Sequence, residues 1–241
     1  MATRGRPRTG PRPTYRAGLT RDGVFRAAVK LADDGGIAAL TMRNLATELG
    51  VEAMSLYHHV ADKDEVLDGM VDVVVSEVNA RMAELDGPSG GADSAWKTVV
   101  RHRILTAREV LLGHRWAAGV IESRTTMSPT VMRYYDSLMG LLREAGLSVS
   151  LVHHAMHALG SRALGFTQEL YAPQNDADPG MDVAAIMRGQ LADEYPHITE
   201  IAVIEAGNHD PDSTLGWCDD QVEFEFSLDL LLDGLERLHD A

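Results

Sequence analysis

At 241 residues the chain is long enough for one or two domains with a sizeable buried core, and 45% hydrophobic with 24% charged residues is an ordinary globular balance. A formal net charge of −14 speaks against a protein that coats nucleic acid indiscriminately, and one cysteine, Cys218, excludes both an intrachain disulfide and a cysteine zinc cluster. No apolar run approaches the ~18–20 residues of a membrane span, and the opening arginines have no apolar stretch behind them, so a cytoplasmic protein is expected.

The charge is distributed unevenly. Residues 1–17 carry +5, from Arg4, Arg6, Arg8, Arg12 and Arg16. Residues 18–69 hold five basic against nine acidic groups, and residues 70–241 hold 12 against 27. Attraction for phosphate is thus concentrated in the first residues and a few placed cations, while the rest repels DNA met at random. The arm MATRGRPRTGPRPTYR is rich in Gly, Pro and Arg and is expected to be disordered when free. Its Arg4-Gly5-Arg6-Pro7-Arg8 run resembles the core of an AT-hook, whose arginines enter a narrow A·T minor groove. The alternative reading is a solubilising tail.

A helix is predicted over Arg21 to Asp34, with Val24, Phe25, Ala28, Val29 and Leu31 on one side and Gly35-Gly36 as its stop. The next stretch, Leu40 to Leu67, reads LTMRNLATELGVEAMSLYHHVADKDEVL. Thr41 can cap a short helix whose inner side is Leu45, Ala46 and Leu49, and Gly50 supplies the left-handed backbone past its end. Val51, Leu56 and Val60 form the buried side of a second short helix, while Ala53, Met54, Ser55, Tyr57 and His58 lie on its other side. Asp62 with Glu65 is a capping box that opens a third helix. Two helices joined by a short Gly-containing turn form a helix-turn-helix, whose second helix fits the ~12 Å major groove of B-DNA. DNA binding follows from this pattern.

From Thr20 to Val75 the sequence resembles the DNA-binding domain of the TetR family of bacterial regulators, through G-x-x-x-L-T-x-R-x-L-A-x-x-L-G-V and the L-Y-x-H-V-x-x-K run after it. The resemblance implies an all-α protein: an N-terminal three-helix helix-turn-helix domain, here residues 18–68, and a C-terminal domain, 69–241, that binds a small ligand and dimerises. It further implies a homodimeric regulator, usually a repressor, which a small-molecule effector releases from a double-stranded DNA operator. Ala53, Met54 and Ser55 begin the reading helix and are expected to meet base edges, the first two suiting a thymine methyl. Arg43 matches a family position that reaches DNA and could grip guanine. Tyr57, His59 and Lys63 match positions that hold phosphates, with packing inside the small domain as the alternative for Tyr57 and His59. His58 could touch either a base or a phosphate.

Beyond the reader the pattern stays helical. A long helix is predicted over Lys63 to Leu85, ending at Asp86-Gly87-Pro88, with further helices over about 93–112, 114–122, 129–145, 149–171, 181–193 and 220–239. Ala172–Gly180 and Pro196–Thr214 read as loops. No alternating strand pattern and no repeat is present. In the last helix Phe224, Leu228, Leu231, Leu235 and Leu238 are spaced 4, 3, 4 and 3, the seam of a helix packing on helices, widened by Leu230 and Leu232. Glu225, Asp229, Asp233 and Glu236 keep the other side wet. The helix from Ser150 to Tyr171 offers the small residues Ala155, Gly160, Ala163 and Gly165. The resemblance implies that these two helices meet their copies in a four-helix bundle; the alternative is that the seam closes the chain's own core.

For the ligand, the family expectation is a pocket between C-terminal helices. Trp96, Trp116, Met127, Tyr134, Met139, His153, His157 and Phe166 are the candidate lining, with Arg101, His102, Glu122 and Arg124 as polar additions. His153 and His157, four apart, could face one metal, but a stable site needs further ligands, so hydrogen-bonded helix histidines are the expectation and no metal or other cofactor is assigned. Tetracycline-binding family members use histidines on their drug–magnesium complex, and Ile121 and Asn79 stand at those positions here, which makes that ligand a poor candidate. The competing readings are an α-helical enzyme and an activator without a ligand. The enzyme lacks a nucleophile–base pair, a metal cluster or a phosphate loop, since Cys218 has no partner pattern and Gly35-Gly36 no P-loop lysine. The arm supplies a first test. Deleting residues 1–16 is expected to weaken operator binding and flatten its dependence on salt, and unchanged affinity at two salt concentrations would remove the arm from recognition.

Overall fold

The computed structural model describes residues 19–85, 96–165, 193–205 and 220–241. Among these residues the chain forms ten α-helices and no strand. They are α1 (Arg21–Gly35), α2 (Met42–Leu49), α3 (Ala53–Leu56), α4 (Lys63–Leu85), α5 (Trp96–Gly113), α6 (Ala117–Ser123), α7 (Pro129–Glu144), α8 (Val149–Gly165), α9 (Pro196–Glu205) and α10 (Asp220–His239). Arg4, Arg6, Arg8, Phe166, Cys218, the expected loop Ala172–Gly180 and nearly all of the expected helix 181–193 lie outside the described residues.

Local chemistry sets the helix ends. Thr20 caps α1 by accepting from the Gly23 amide at 3.1 Å, and Gly36, at φ 72°, ends it. Ser128 caps α7 through the Val131 amide at 3.2 Å, with Pro129 at the first helical position, where its missing N–H costs nothing. The same rule corrects one expectation. Pro196–Thr214 is not loop throughout: Pro196 starts α9, which runs to Glu205. The Pro, Asp and Asn that suggested a loop fall mainly after residue 205.

Two cores organise the helices. The first joins Val24, Ala28 and Ala32 of α1, Leu45 of α2 and Leu56 and Val60 around α3 to Val66, Met70, Val74 and Val78 of α4, and continues into Val110, Trp116 and Val120. The working domain boundary near residue 68 therefore falls inside one unbroken helix whose buried side chains serve both sides. The second core joins Val100 and Ile104 of α5, Leu138 and Leu142 of α7, Val152, Ala155 and Leu159 of α8, and α10.

Helix α10 corrects the seam. Phe224, Leu228 and Leu235 are buried in the chain's own second core, Leu231 packs against it, and Leu232 joins them. Leu238 points away and is 66% exposed. The acidic positions are not merely wet either. Arg101 of α5 donates to Asp229 at 2.7 Å and Glu225 at 2.6 Å, and Lys97 donates to Glu236 at 2.8 Å and to Asp233. The Lys97 ammonium holds the Asp233 carboxyl below its usual range, chiefly through that hydrogen bond. Ion pairs along one edge and leucines along the other fix which way α10 faces. Its outward apolar residues are Val222, Phe226, Leu230 and Leu238.

Gly69 permits the closest approach in the first core. A Cβ there would lie 2.4 Å from three ring atoms of Phe25, so α1 and α4 touch through a missing side chain. Replacing a helix-interior glycine by alanine ordinarily gains ~1 kcal/mol of helix propensity. Here Gly69→Ala is expected to lose about 1–3 kcal/mol through overpacking, measured by urea unfolding. A more stable variant would show that the α1–α4 contact tolerates the methyl group.

Candidate nucleic-acid interface and ligand cavity

The reader is assembled by its capping chemistry. The Thr41 hydroxyl accepts from the Asn44 amide at 3.1 Å to start α2. Gly50 ends α2 in the left-handed region, at φ 67° and ψ 31°. The Val51 amide then reaches back to the Ala46 carbonyl at 3.0 Å, which closes the turn. Helix α3 is short, and hydrogen bonds from His59 and Val60 to the Leu56 carbonyl, at 2.8 and 3.0 Å, continue its curl through residues 57–60. Asp62 accepts from the Glu65 amide at 2.8 Å, and Glu65 returns the bond to the Ala61 amide, so the capping box is formed with its return arm one residue earlier than the motif requires.

This geometry separates the two sides of the reader. Leu45, Leu56 and Val60 are buried, and Leu49 packs against them. Met54 is 73% exposed and Tyr57 46% exposed, large apolar groups that the protein alone leaves in water. Arg43, His58 and Lys63 are exposed beside them, and Ala53, Ser55 and His59 are half-buried. Charge pairing adds a distinction invisible in the sequence. Arg26 is held by Asp22 at 2.8 Å, Lys30 by Asp34 at 2.9 Å and Glu48 at 3.1 Å, and Arg21 by Glu65. Arg43 and Lys63 meet no carboxylate among the described residues, so these two cations of residues 19–69 stand unneutralised on the reading side.

Polar contacts tie the reader to the body. Asp33 of α1 accepts from Trp116 Nε1 at 2.7 Å and lies 2.8 Å from His114 Nδ1, whose other nitrogen is 3.5 Å from Glu77 of α4. Arg124, just after α6, reaches Asp64 at 3.3 Å and Asp68 at 3.4 Å in the first turns of α4. Trp116 is thus a buried strut between α1 and α6.

A cavity of about 310 Å³ opens beside α4, walled by α4, α5, α7, α8 and the segment from Ile121 to Ser128. Val71, Val74, Val75 and Val78 supply one wall, and Ile104, Leu138 and Met156 much of the rest. Its polar and aromatic groups include Asp68, Asp72, Arg124, Tyr134 and Tyr135. Desolvation pushes the Tyr134 phenol up to about 12, so it stays neutral at physiological pH. Of the residues expected to line a pocket, Met127 and Tyr134 do so. Trp96 instead packs on the second core, Trp116 braces α1, and Met139 lies on the surface. His153 and His157 point outward from α8 with ring centres 4.7 Å apart, and among the described residues no group of three metal-binding side chains forms. Arg101 is engaged by α10, and His102 and Glu122 are exposed. The valine wall was missed, although valines at 71, 74, 75 and 78 are the i, i+3, i+4, i+7 signal of one helix face. Ile121 lines the cavity, while Asn79 donates toward the Thr130 carbonyl at 3.5 Å.

Two family models match the chain. Residues 24–70 match the family model for bacterial regulatory proteins of the tetR family, and residues 88–239 match that for the tetracyclin repressor-like C-terminal domain. The chain is 30% identical over 242 residues to the HTH-type transcriptional repressor DrrR1 of Streptomyces coeruleorubidus, covering 97% of this chain and 82% of that protein. The crystal structure of the Streptomyces coelicolor TetR family protein ActR in complex with actinorhodin superposes with a TM-score of 0.69 at 27% identity, over 91% of this chain and 96% of that one. The structure of BioQ with its double-stranded DNA operator gives 0.57 at 26%, over 90% and 98%.

Two substitutions test the reading side. Arg43→Ala is expected to cost about 1–3 kcal/mol on the preferred sequence and to relax specificity at one base pair. Lys63→Ala should weaken all sequences alike and lower the salt slope by about 1. Equal loss on every sequence for Arg43→Ala would make it a phosphate contact instead, as titrations of matched and point-mutated duplexes would show.

Proposed function

Because the chain belongs to the tetR family of bacterial regulatory proteins, we propose that it acts in the cytoplasm as a homodimeric transcriptional repressor, released from a two-fold-symmetric operator when a small molecule enters the cavity beside α4. One observation carries the coupling: α4 belongs to both sites. Val66 and Met70 at its start lie in the reader's core, and Val71 to Val78 wall the cavity. A ligand that prefers one setting of α4 necessarily biases the placement of α3. The size of the response is set by the difference in affinity between the two settings, and tight binding alone moves nothing. The relatives fit this division of labour, since DrrR1 is a repressor, BioQ is described on a DNA operator and ActR with actinorhodin.

Within the reader, Ala53, Met54 and Ser55 meet base edges, with Arg43 gripping a base from α2, and Tyr57, His59 and Lys63 hold phosphates. Exposure of Met54, Tyr57, His58 and Lys63 on one side supports this assignment. One reader spans too few base pairs for specificity, whereas a two-fold pair reads half-sites about one helical turn, ~34–36 Å, apart. The surface that pairs the copies is the outer side of α10 with neighbouring α8. Val222, Phe226 and Leu230 recur every fourth residue and so form a stripe, unlike singly scattered apolar residues, and Val149 of α8 is exposed as well.

Binding to the DNA upstream of its own gene, followed by gel shift and sedimentation, tests the reading. Phe226→Glu with Leu230→Glu should leave the fold intact, since both side chains face solvent in the single chain, yet yield a monomer whose operator affinity falls at least tenfold. A variant that stays dimeric would move the interface elsewhere. A wild-type chain that is monomeric and ignores that DNA would end the proposal.

A further inference from the structure

The cavity's polar groups are not balanced in charge, and the imbalance bears on what enters. Its lining holds two carboxylates, Asp68 and Asp72, one turn apart on α4, and one guanidinium, Arg124. Arg124 is already committed. One terminal nitrogen reaches Asp64 at 3.3 Å and Asp68 at 3.4 Å, and Nε and the other terminal nitrogen sit 3.2 Å from Ser123 Oγ. Asp72 is different. It accepts from the Ser128 hydroxyl, and among the described residues no Lys, Arg or His lies within ion-pair distance of it. Asp72 is half-buried, and its one neutral protein donor leaves the carboxylate able to take a cationic partner from the cavity.

A second group points the same way. The Tyr134 hydroxyl, on α7, lines the cavity and makes no hydrogen bond among the described residues. It remains a neutral phenol, free to accept a proton donor, and the edge-to-face Tyr134–Tyr135 pair, ring centres 5.5 Å apart, adds aromatic surface that favours cations over anions. The valines and Ile104 offer nothing to a charge and suit an apolar body.

Resting on the cavity's being the effector site, we propose that the effector is a cationic amphiphile: an apolar body carrying a protonated amine, with Asp72 as its counter-ion. An acid of the same shape is rejected by Asp72, since Asp68 is already paired with Arg124. The ammonium competes with Ser128 for Asp72, and Ser128 is also the cap of α7. Ligand charge thus acts directly on a bond between α4 and α7.

Three probes of one ring system separate the charge from the shape: 9-(aminomethyl)anthracene, 9-anthracenemethanol and 9-anthracenecarboxylate, titrated by fluorescence into the full chain at neutral pH. The amine is expected to bind at least about tenfold tighter than the alcohol, equivalent to ~1.4 kcal/mol, and the acid weakest. In Asp72→Asn the ratio of amine to alcohol affinity should collapse to about one. Equal binding of amine and alcohol, tighter binding of the acid, or an amine preference that survives Asp72→Asn overturns the charge assignment while leaving the cavity a ligand site. Binding of none of the three overturns both. The order of the probes on the wild-type chain decides the matter even if Asp72→Asn does not fold.

Discussion

Helix α4 is a 23-residue rod, about 35 Å long at 1.5 Å per residue, and its buried side chains run from the reader's core to the cavity wall. Its start is fixed by the Asp62–Glu65 capping box, and Glu65 also engages Arg21 of α1. Gly69 lets the Phe25 ring lie against the backbone, so α1 and α4 cannot slide without colliding. Beyond that point β-branched valines, stiff at χ1, face the cavity. Close-packed interiors shift between discrete arrangements and do not deform continuously, which is the physical basis of the coupling proposed for α4.

Charge is used sparingly and at chosen places. Most cations near the reader are neutralised by carboxylates on neighbouring turns, and exposed pairs of this type contribute only about 0–1 kcal/mol each to stability. Their larger effect is on recognition, because they leave Arg43 and Lys63 as the unneutralised cations of the reading side among the described residues. An acidic body repels DNA in general, so affinity depends on the fit of a small surface. The same economy holds at the joint between reader and body, where Asp33 gathers Trp116 and His114, and Arg124 gathers Asp64 and Asp68. These contacts are polar and directional.

The C-terminal helix shows a pattern that was clear while its partner stayed open between a second copy and the chain's own core. Heptad-like spacing over Phe224 to Leu238 identified a helix packing on helices, and that is what α10 does. Spacing does not say which neighbour fills the seam. The acidic residues decide it: Glu225, Asp229, Asp233 and Glu236 reach Arg101 and Lys97 of α5, and this rotation sends Phe224, Leu228 and Leu232 inward and Phe226 and Leu230 outward. An ion pair between residues more than a hundred positions apart leaves no mark in local sequence.

The sequence by itself determined the all-helical architecture, the reader and its caps, because Thr41, Gly50, Asp62 and Glu65 act through neighbours within five residues. It also singled out Met127 and Tyr134, which line the cavity beside α4. Tertiary structure alone decided which aromatic residues are struts and which line a cavity, which cations are spent within the fold, and which side of α10 meets water. Trp96, Trp116 and Tyr134 are all large aromatic residues in helix-rich sequence, and the position of distant helices distinguishes core, brace and cavity wall. Local hydrogen bonds are written in short spacings; the partner of a buried face is set by the packing of the whole chain.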